Sequence, residues 1–278
     1  MNFLKQSIEF LQSEMIEPQP WGWFHVLCLT LMVISIGFCW HIRNRHSEKQ
    51  LKMILAAYAI PTFILELLKQ LSWSVTITET GLIWDYQWYA FPFQLCTTPL
   101  FVCLVCLFLK KNTVRSALLS YVSFITILGS LAVVFIPGDC FVEDILVNIH
   151  TTYLHYGSFV VSCYLLFSKE VHIKFDSLIK GIAIFVMVAM SANIMNILVY
   201  RSGVLHGETF NMFYISPYFI STLPVFNQIQ QEVPYLIFLG LYLFILSCGG
   251  ALTCGISYML QKFGLVIKLQ YKKLSNKI

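Results

Sequence analysis

Residues 21–42 read WGWFHVLCLTLMVISIGFCWHI, a run without a single aspartate, glutamate, lysine or arginine. At about 1.5 Å of rise per residue, a helix of this length crosses the roughly 30 Å hydrocarbon core of a bilayer. Within hydrocarbon a backbone must satisfy its own hydrogen bonds, and long apolar runs do so as helices. The sequence therefore predicts an all-α fold, a bundle of seven transmembrane helices. The other six runs lie at residues 53–73, 88–109, 116–136, 145–167, 178–200 and 233–260.

The composition agrees with a chain that crosses a membrane several times. Hydrophobic residues make up 58% of the 278 residues, and charged residues make up only 12%. A soluble domain carries about twice that charged share. The mean hydropathy of +0.72 points the same way. These values argue against a soluble enzyme, a disordered chain or a coiled coil.

The basic residues predict how the chain is oriented. Lysines and arginines follow the first, third, fifth and seventh runs, and every basic residue lies there except Lys5, Lys69 and Arg201. Because cytoplasmic loops carry the excess of basic residues, we expect the N-terminus outside and the C-terminus in the cytoplasm. An eighth crossing at residues 210–226 would place the lysine-rich tail outside, so we expect that segment in the interface or over the outer mouth. This orientation explains the net charge of +4, and we expect no nucleic-acid partner.

The chain divides into three predicted parts. In residues 1–20, Phe3, Leu4, Ile8 and Leu11 recur at helical spacing, which predicts an amphipathic helix on the outer membrane surface. Residues 21–260 form the transmembrane domain, and residues 261–278 form a basic cytoplasmic tail. We expect a multi-pass protein of the plasma membrane.

Several polar side chains lie inside the apolar runs, where an ionisable group costs at least about 2.5–3.5 kcal/mol at the membrane centre. Counted from the ends of the runs, they share one depth band in the outer half of the membrane, which predicts an outward-facing polar cavity. Glu66 and Lys69 are three residues apart on one helix face, either as a structural ion pair or as part of the cavity wall. The set comprises Glu66, Lys69, Cys96, His150, His155, Asn193 and Asn196.

Residues 90–99 read AFPFQLCTTP and form the most distinctive stretch. Two prolines bracket a polar turn inside a predicted helix, and such a distortion exposes backbone carbonyls where it lines a cavity. Cys96 would be a nucleophile if a nearby histidine such as His155 activates its thiol; otherwise it is a packed structural cysteine.

We expect no metal and no cofactor. His150 and His155 are five residues apart, about 140° around a helix, which is not the spacing of a helical metal pair. Cys103 and Cys106 form an isolated CxxC without a second pair or a nearby histidine, and packing thiols explain it better.

In their order along the chain, these segments resemble the YwaF-like integral membrane family, whose vertebrate relative is transmembrane protein 164, an acyltransferase that acts on ether phospholipids. The resemblance rests on Glu66 and Lys69, on residues 91–96 (FPFQLC), on His155 followed by Val160-Val161 and Tyr164-Leu165-Leu166, and on Asn211-Met212.

The resemblance implies that His155 is the family's histidine and that Cys96 is the cysteine of its bacterial Pro-x-His-x-Cys pattern. Gln94 stands where that pattern has histidine. In the vertebrate relative the cysteine comes directly after the proline, where this chain has Phe93. Phe93 and Cys96 are three residues apart, so on a helix they would lie on the same face and Cys96 could reach the same space.

The first functional hypothesis is a membrane-embedded lipid acyltransferase or acyl hydrolase, in which Cys96 accepts the acyl group and His155 acts as base. The alternative is a transporter or ligand-binding protein that uses the same cavity without covalent chemistry. A seven-helix sensor or accessory subunit is a third hypothesis. The expected partners are membrane lipid and a lipid or small polar substrate. The residues expected to bind or orient it are Glu66, Lys69, Gln94, His150, Asn193, Asn196 and Asn211.

Overall fold

The computed structural model describes residues 2–45 and 47–275. The first residue of the predicted N-terminal helix and the last three of the predicted basic tail, Lys277 included, lie outside the described residues. The protein is mostly helical, at 72%. The helices are α1 (Asn2–Leu11), α2 (Trp23–Ile42), α3 (Glu48–Trp73), α4 (Thr98–Phe108), α5 (Thr113–Tyr121), α6 (Ile127–Phe135), α7 (Ile145–Phe167), α8 (Phe175–Ser202), α9 (Phe226–Glu232) and α10 (Tyr235–Ser275).

Five helices in the described part of the chain are long and apolar enough to cross a membrane. The helix α7 has 23 residues, as many as two of those five, but its asparagine and histidines make it more polar. The five are Trp23–Arg45, Glu48–Trp73, Thr113–Phe135, Phe175–Ser202 and Tyr235–Gly264. Thr113–Phe135 joins α5 to α6 through a buried π-helical stretch, Val122–Thr126.

The predicted helix over residues 88–109 is wrong in its first half. The chain makes a short 3-10 turn at Trp88–Ala90, runs irregularly, and becomes α-helical only at Thr98. Pro92 has no backbone N–H and disfavours helical geometry in the residue before it. Pro99 lies in the first turn of α4, where a missing N–H costs nothing.

A β-hairpin follows α3, so the all-α prediction is also incomplete. The strands β1 (Val75–Thr78) and β2 (Gly81–Trp84) pair antiparallel, with Val75 opposite Trp84. The β-branched sequence VTIT favours a strand. The side chain of Gln12, just after α1, donates hydrogen bonds to the carbonyls of Ser72 and Val75 at 2.8 and 2.7 Å. The N-terminal helix is therefore attached to the end of α3.

Side chains at the start of three helices satisfy backbone N–H groups that have no partner within the helix. Ser47 accepts from Gln50 N, Asn112 from Arg115 N, and Asp144 from Val147 N. Such caps stabilise a helix by about 1 kcal/mol each. They define where α3, α5 and α7 begin.

Two glycines allow close helix packing around the site. A Cβ atom on Gly157 of α7 would lie 2.7 Å from the ring of Tyr58 on α3. A Cβ atom on Gly181 of α8 would lie 3.0 Å from the backbone of Ser120 on α5. The helix α3 thus packs between α4 and α7, while α8 packs against α5.

An ion cluster that the sequence analysis missed joins α3, α5 and the end of α7. The Arg115 side chain is 1% exposed and binds both oxygens of Glu48, at 2.6 and 2.9 Å. It also binds Glu170 at 3.0 Å. A guanidinium can bind two carboxylates at once because its N–H groups form a planar fork. Arg115 is therefore a buried structural residue in the first turn of α5.

Candidate functional site

The centre of the site is Glu66 on α3, whose side chain is 2% exposed. Its Oε1 lies 2.8 Å from the ammonium of Lys69. Its Oε2 lies 2.7 Å from Nε2 of His150 on α7. This oxygen is displaced from the direction of the ring N–H, so the contact does not have the geometry of a hydrogen bond. Lys69 and His150 are also buried, at 8% and 3% exposure. The structure thus brings three of the predicted residues together in a buried cluster around the Glu66–Lys69 ion pair. Such pairing is expected, because an isolated charge in hydrocarbon is costly.

Gln70 connects this cluster to the chain that leads to the irregular turn. Its Nε2 donates to Glu66 Oε1 at 2.8 Å and to the carbonyl of Ala90 at 2.6 Å. The Tyr86 hydroxyl donates to Gln70 Oε1 at 3.0 Å. Partial burial, and to a lesser extent the charge of Glu66, raise the pKa of Tyr86, which keeps this hydroxyl protonated as a donor. Gln70 and Tyr86 did not stand out in the sequence, because a glutamine and a tyrosine near a helix end carry no special pattern.

Cys96 lies in the turn that precedes α4. The Thr97 hydroxyl accepts from Gln94 N and donates to the Gln94 carbonyl, both at 2.9 Å, and closes this turn. Cys96 is half-buried against the hydrophobic core. Because residues 91–97 are not helical, Phe93 and Cys96 do not share a helix face as predicted.

His155 lies on α7, buried at 7% exposure. The neighbouring carbonyl of Leu154 accepts a hydrogen bond from Tyr58 at 3.3 Å. Among the described residues, no hydrogen bond joins the His155 ring to the Cys96 thiol. The carboxylate of Glu66 contacts His150 instead of His155. The predicted cysteine–histidine pair is therefore not in hydrogen-bond contact in this state.

Two of the predicted amides hold one peptide segment from either side. Asn196 accepts from Met212 N at 2.8 Å and donates to the Met212 carbonyl at 2.9 Å. Gln94 accepts from Phe213 N at 2.8 Å and donates to the Asn211 carbonyl at 3.1 Å. Phe213 has a φ of 58°, in the left-handed region that costs a non-glycine residue about 1–3 kcal/mol. The two amides hold the backbone in this strained conformation.

Asn211 and Asn193 belong to the same arrangement. Asn211 accepts from Ser216 N at 2.8 Å and donates to the Ile220 carbonyl at 3.2 Å. The Tyr235 hydroxyl lies within hydrogen-bond distance of both Asn193 Oδ1 and the Ile215 carbonyl. These amides thus bind protein groups and hold residues 210–216 in the core, with Phe210, Met212, Phe213 and Ile215 fully buried. Their role toward a substrate stays a prediction.

A groove of about 440 Å³ opens beside the last turn of α3. Ser72, Trp73 and Tyr89 are among the residues that line it. The Lys69 ammonium lies 5.7 Å from the Trp73 ring, but Glu66, Lys69 and His150 are not among the residues that line the groove. Within residues 2–45 and 47–275, no group of three histidine, cysteine or acidic residues is arranged to hold a metal ion.

Comparison with known proteins gives one match. The sequence model of the TMEM164 family matches residues 19–251, which include every helix from α2 to α9 and the start of α10. No curated protein and no solved structure matches the chain. The match confirms the predicted relation to transmembrane protein 164. Together with the five long apolar helices, it identifies an integral multi-pass membrane protein in contact with lipid. The chain belongs to the TMEM164 family.

Proposed function

We propose that this protein is a membrane-embedded lipid acyltransferase or acyl hydrolase, with Cys96 as the nucleophile and His155 as the base. The observation that carries the proposal is the position of the Cys96 turn. Gln94 of this turn is hydrogen-bonded to the strained segment of residues 210–216, and Gln70, which binds Glu66 of the buried cluster, also binds the Ala90 carbonyl just before the turn. Buried ionisable groups and strained backbone in a membrane protein are typical of functional sites. The resemblance to an ether-phospholipid acyltransferase supports the same chemistry.

The reaction proceeds through a thioester. The Cys96 thiolate adds to an ester carbonyl of a phospholipid, and the C–O bond breaks as His155 returns the thiol proton to the departing alcohol. The acyl group then passes from sulfur to a hydroxyl group, of a second lipid in the transferase or of water in the hydrolase. Lys69 and nearby amide donors stabilise the tetrahedral oxyanion. Substrate binding closes the distance between thiol and imidazole, as catalytic contacts are often loose without substrate.

We also propose seven crossings, with the N-terminus outside, the C-terminus cytoplasmic and the protein in the plasma membrane. The helix α7 adds a sixth crossing to the five long apolar helices, with its polar side chains turned toward α3. The seventh crossing is formed by residues 88–108, which combine the irregular stretch with α4, because the 11 residues of α4 alone are too few to cross the membrane. Irregular backbone is tolerated at membrane depth where it is buried in protein. The helix α1 lies on the outer surface, and the basic tail lies at the cytoplasmic lipid surface.

The activity test uses the purified protein in vesicles that contain a labelled diacyl phospholipid and an ether lysophospholipid acceptor. We expect Cys96→Ala to abolish both transfer and hydrolysis, and His155→Gln to slow them about 100-fold or more. The matched control is Cys248→Ala, which removes an exposed thiol far from the turn in sequence. Full activity in Cys96→Ala excludes the mechanism.

The lack of a Cys96–His155 hydrogen bond is the observation that favours the alternative, a transporter or ligand-binding protein. In that case Glu66, Lys69 and His150 would bind a polar headgroup or small metabolite without covalent chemistry. Thermal stabilisation by phospholipid that survives Cys96→Ser, together with no turnover in the wild type, would favour this alternative.

A further inference from the structure

The ring of His150 is oriented by a carboxylate that is itself held in place. Glu66 Oε2 lies 2.7 Å from His150 Nε2. The other oxygen of Glu66 is bound by Lys69 and by Gln70, each at 2.8 Å. Gln70 is in turn tied to the Ala90 carbonyl. The carboxylate cannot rotate away from the imidazole without breaking these contacts.

Both nitrogens of this ring are buried: Nε2 has only the off-line contact with Glu66 Oε2, and Nδ1 has no hydrogen-bond partner among the described residues. In the neutral imidazole, a carboxylate oxygen 2.7 Å from Nε2 favours the tautomer with hydrogen on Nε2, because two lone pairs at that distance repel. In that tautomer Nδ1 carries an unshared lone pair. A buried acceptor without a donor is destabilising, and a group of this kind in a native structure calls for an explanation.

The arrangement is that of a general base. A nucleophile or hydroxyl is activated by a nearby base, and the base is oriented by a third group, commonly a carboxylate. His150 has this carboxylate and a free nitrogen, whereas His155 has no carboxylate contact among the described residues. An O–H group would supply the donor that Nδ1 lacks. In acyl transfer, the acyl acceptor brings an O–H group into the site.

We infer that His150 is the base that activates the acyl acceptor, a hydroxyl group of lipid or water; this inference rests on the function proposed above. The acceptor hydroxyl binds His150 Nδ1 and gives up its proton there as its oxygen adds to the thioester carbonyl. The C–S bond breaks, and the proton passes from His150 to the departing sulfur of Cys96. Bonds and protons balance, and no co-reactant is needed. The two histidines then serve the two halves of the reaction.

The test follows the acyl group on Cys96 in two stages. Protein is first incubated with vesicles of labelled diacyl phospholipid, and a lysophospholipid or buffer alone is then added. The variant His150→Gln keeps an N–H donor for Glu66 but has no basic nitrogen. We expect it to form acyl-Cys96 and then release it at least about 100-fold more slowly than the wild type. Labelled diacyl product identifies a lipid acceptor, and labelled fatty acid identifies water.

Two variants complete the experiment. His172→Gln, at an exposed position after α7, should release the acyl group at the wild-type rate. Glu66→Gln, which keeps acceptor oxygen for Lys69 but loses the charge that orients the ring, should release it more slowly than the wild type and faster than His150→Gln. If His150→Gln cannot be acylated, Glu66→Gln carries the test.

The outcomes separate the two claims. Release at the wild-type rate in the acylated variant overturns the role of His150 while leaving the acyl-transfer function in place. A wild-type protein that forms no acyl-Cys96 overturns both.

Discussion

Asn196 forms two hydrogen bonds with the backbone of Met212, accepting from its N–H at 2.8 Å and donating to its carbonyl at 2.9 Å. Both residues are fully buried. One side chain of α8 thus pairs with both backbone polar groups of Met212, the first residue of a single 3-10 turn, Met212–Tyr214. The irregular segment can lie in the core only because its backbone groups are paired.

Asn196→Leu keeps the number and branching of the side-chain heavy atoms but removes both side-chain hydrogen bonds, which leaves the Met212 N–H without a partner and its carbonyl with only the 3.4 Å bond from Ile215 N. Each buried backbone group left without a partner costs about 1–3 kcal/mol. We therefore expect the free energy of unfolding, measured by SDS titration of the protein in mixed micelles, to fall by about 2 kcal/mol or more. Ser191→Ala is the control, because that exposed hydroxyl bonds only to the Met187 carbonyl of its own helix. A value for Asn196→Leu within about 0.5 kcal/mol of the wild type would contradict this account.

Gln94 holds the same segment from the turn that carries Cys96. Gln94→Glu keeps the acceptor for Phe213 N but loses the donor for the Asn211 carbonyl, while Gln94→Leu loses both. We expect amide hydrogen exchange in a peptide covering residues 209–216 to accelerate strongly in Gln94→Leu and less in Gln94→Glu, because unpaired amides exchange through local opening. Peptides from α8 serve as the internal control. Unchanged protection in Gln94→Leu would show that Gln94 does not hold the segment.

The sequence predicted more of the scaffold than of the site. Long apolar runs are enough to predict the membrane-crossing helices, and the spacing of Glu66 and Lys69 is enough to predict their ion pair. The contact of Glu66 with His150 could not be predicted, because it depends on which faces of α3 and α7 meet. The partners of Asn196 and Gln94 are backbone groups, which leave no mark on side-chain patterns. Pro92 predicted a distortion within a helix. In the structure the distortion is larger, because all seven residues from 91 to 97 lie outside any helix.

The Arg115 cluster, which lies at the opposite end of α3 from the candidate site, is predicted to contribute to the stability of the protein. Arg115→Met removes the 3.0 Å contact with the buried carboxylate of Glu170, which then keeps the longer 3.9 Å contact with the exposed Lys111. Breaking a buried ion pair from one side costs about 3–5 kcal/mol, and we expect a loss of that size in the same SDS titration. Lys180→Met is the control, because its pair with Asp176 is largely exposed and contributes no more than about 1 kcal/mol. Equal effects of the two substitutions would contradict a structural role for Arg115.

The proposed orientation is tested with two single cysteines introduced at exposed positions on opposite sides of the membrane. Glu79→Cys lies in the turn between β1 and β2, and Lys110→Cys follows α4. With the N-terminus outside, a membrane-impermeant maleimide should label Glu79→Cys on intact cells and label Lys110→Cys only after permeabilisation. The wild type measures the background from native thiols. Labelling of Lys110→Cys on intact cells would reverse the orientation.

The central claim is that Cys96 carries the acyl group during turnover. The most direct measurement is mass spectrometry of proteolytic peptides after the protein has been incubated with phospholipid vesicles and rapidly quenched. We predict an acyl adduct on the peptide that contains Cys96, removable by neutral hydroxylamine as a thioester is. An active protein without that adduct, or with undiminished turnover after Cys96→Ala, would contradict the account.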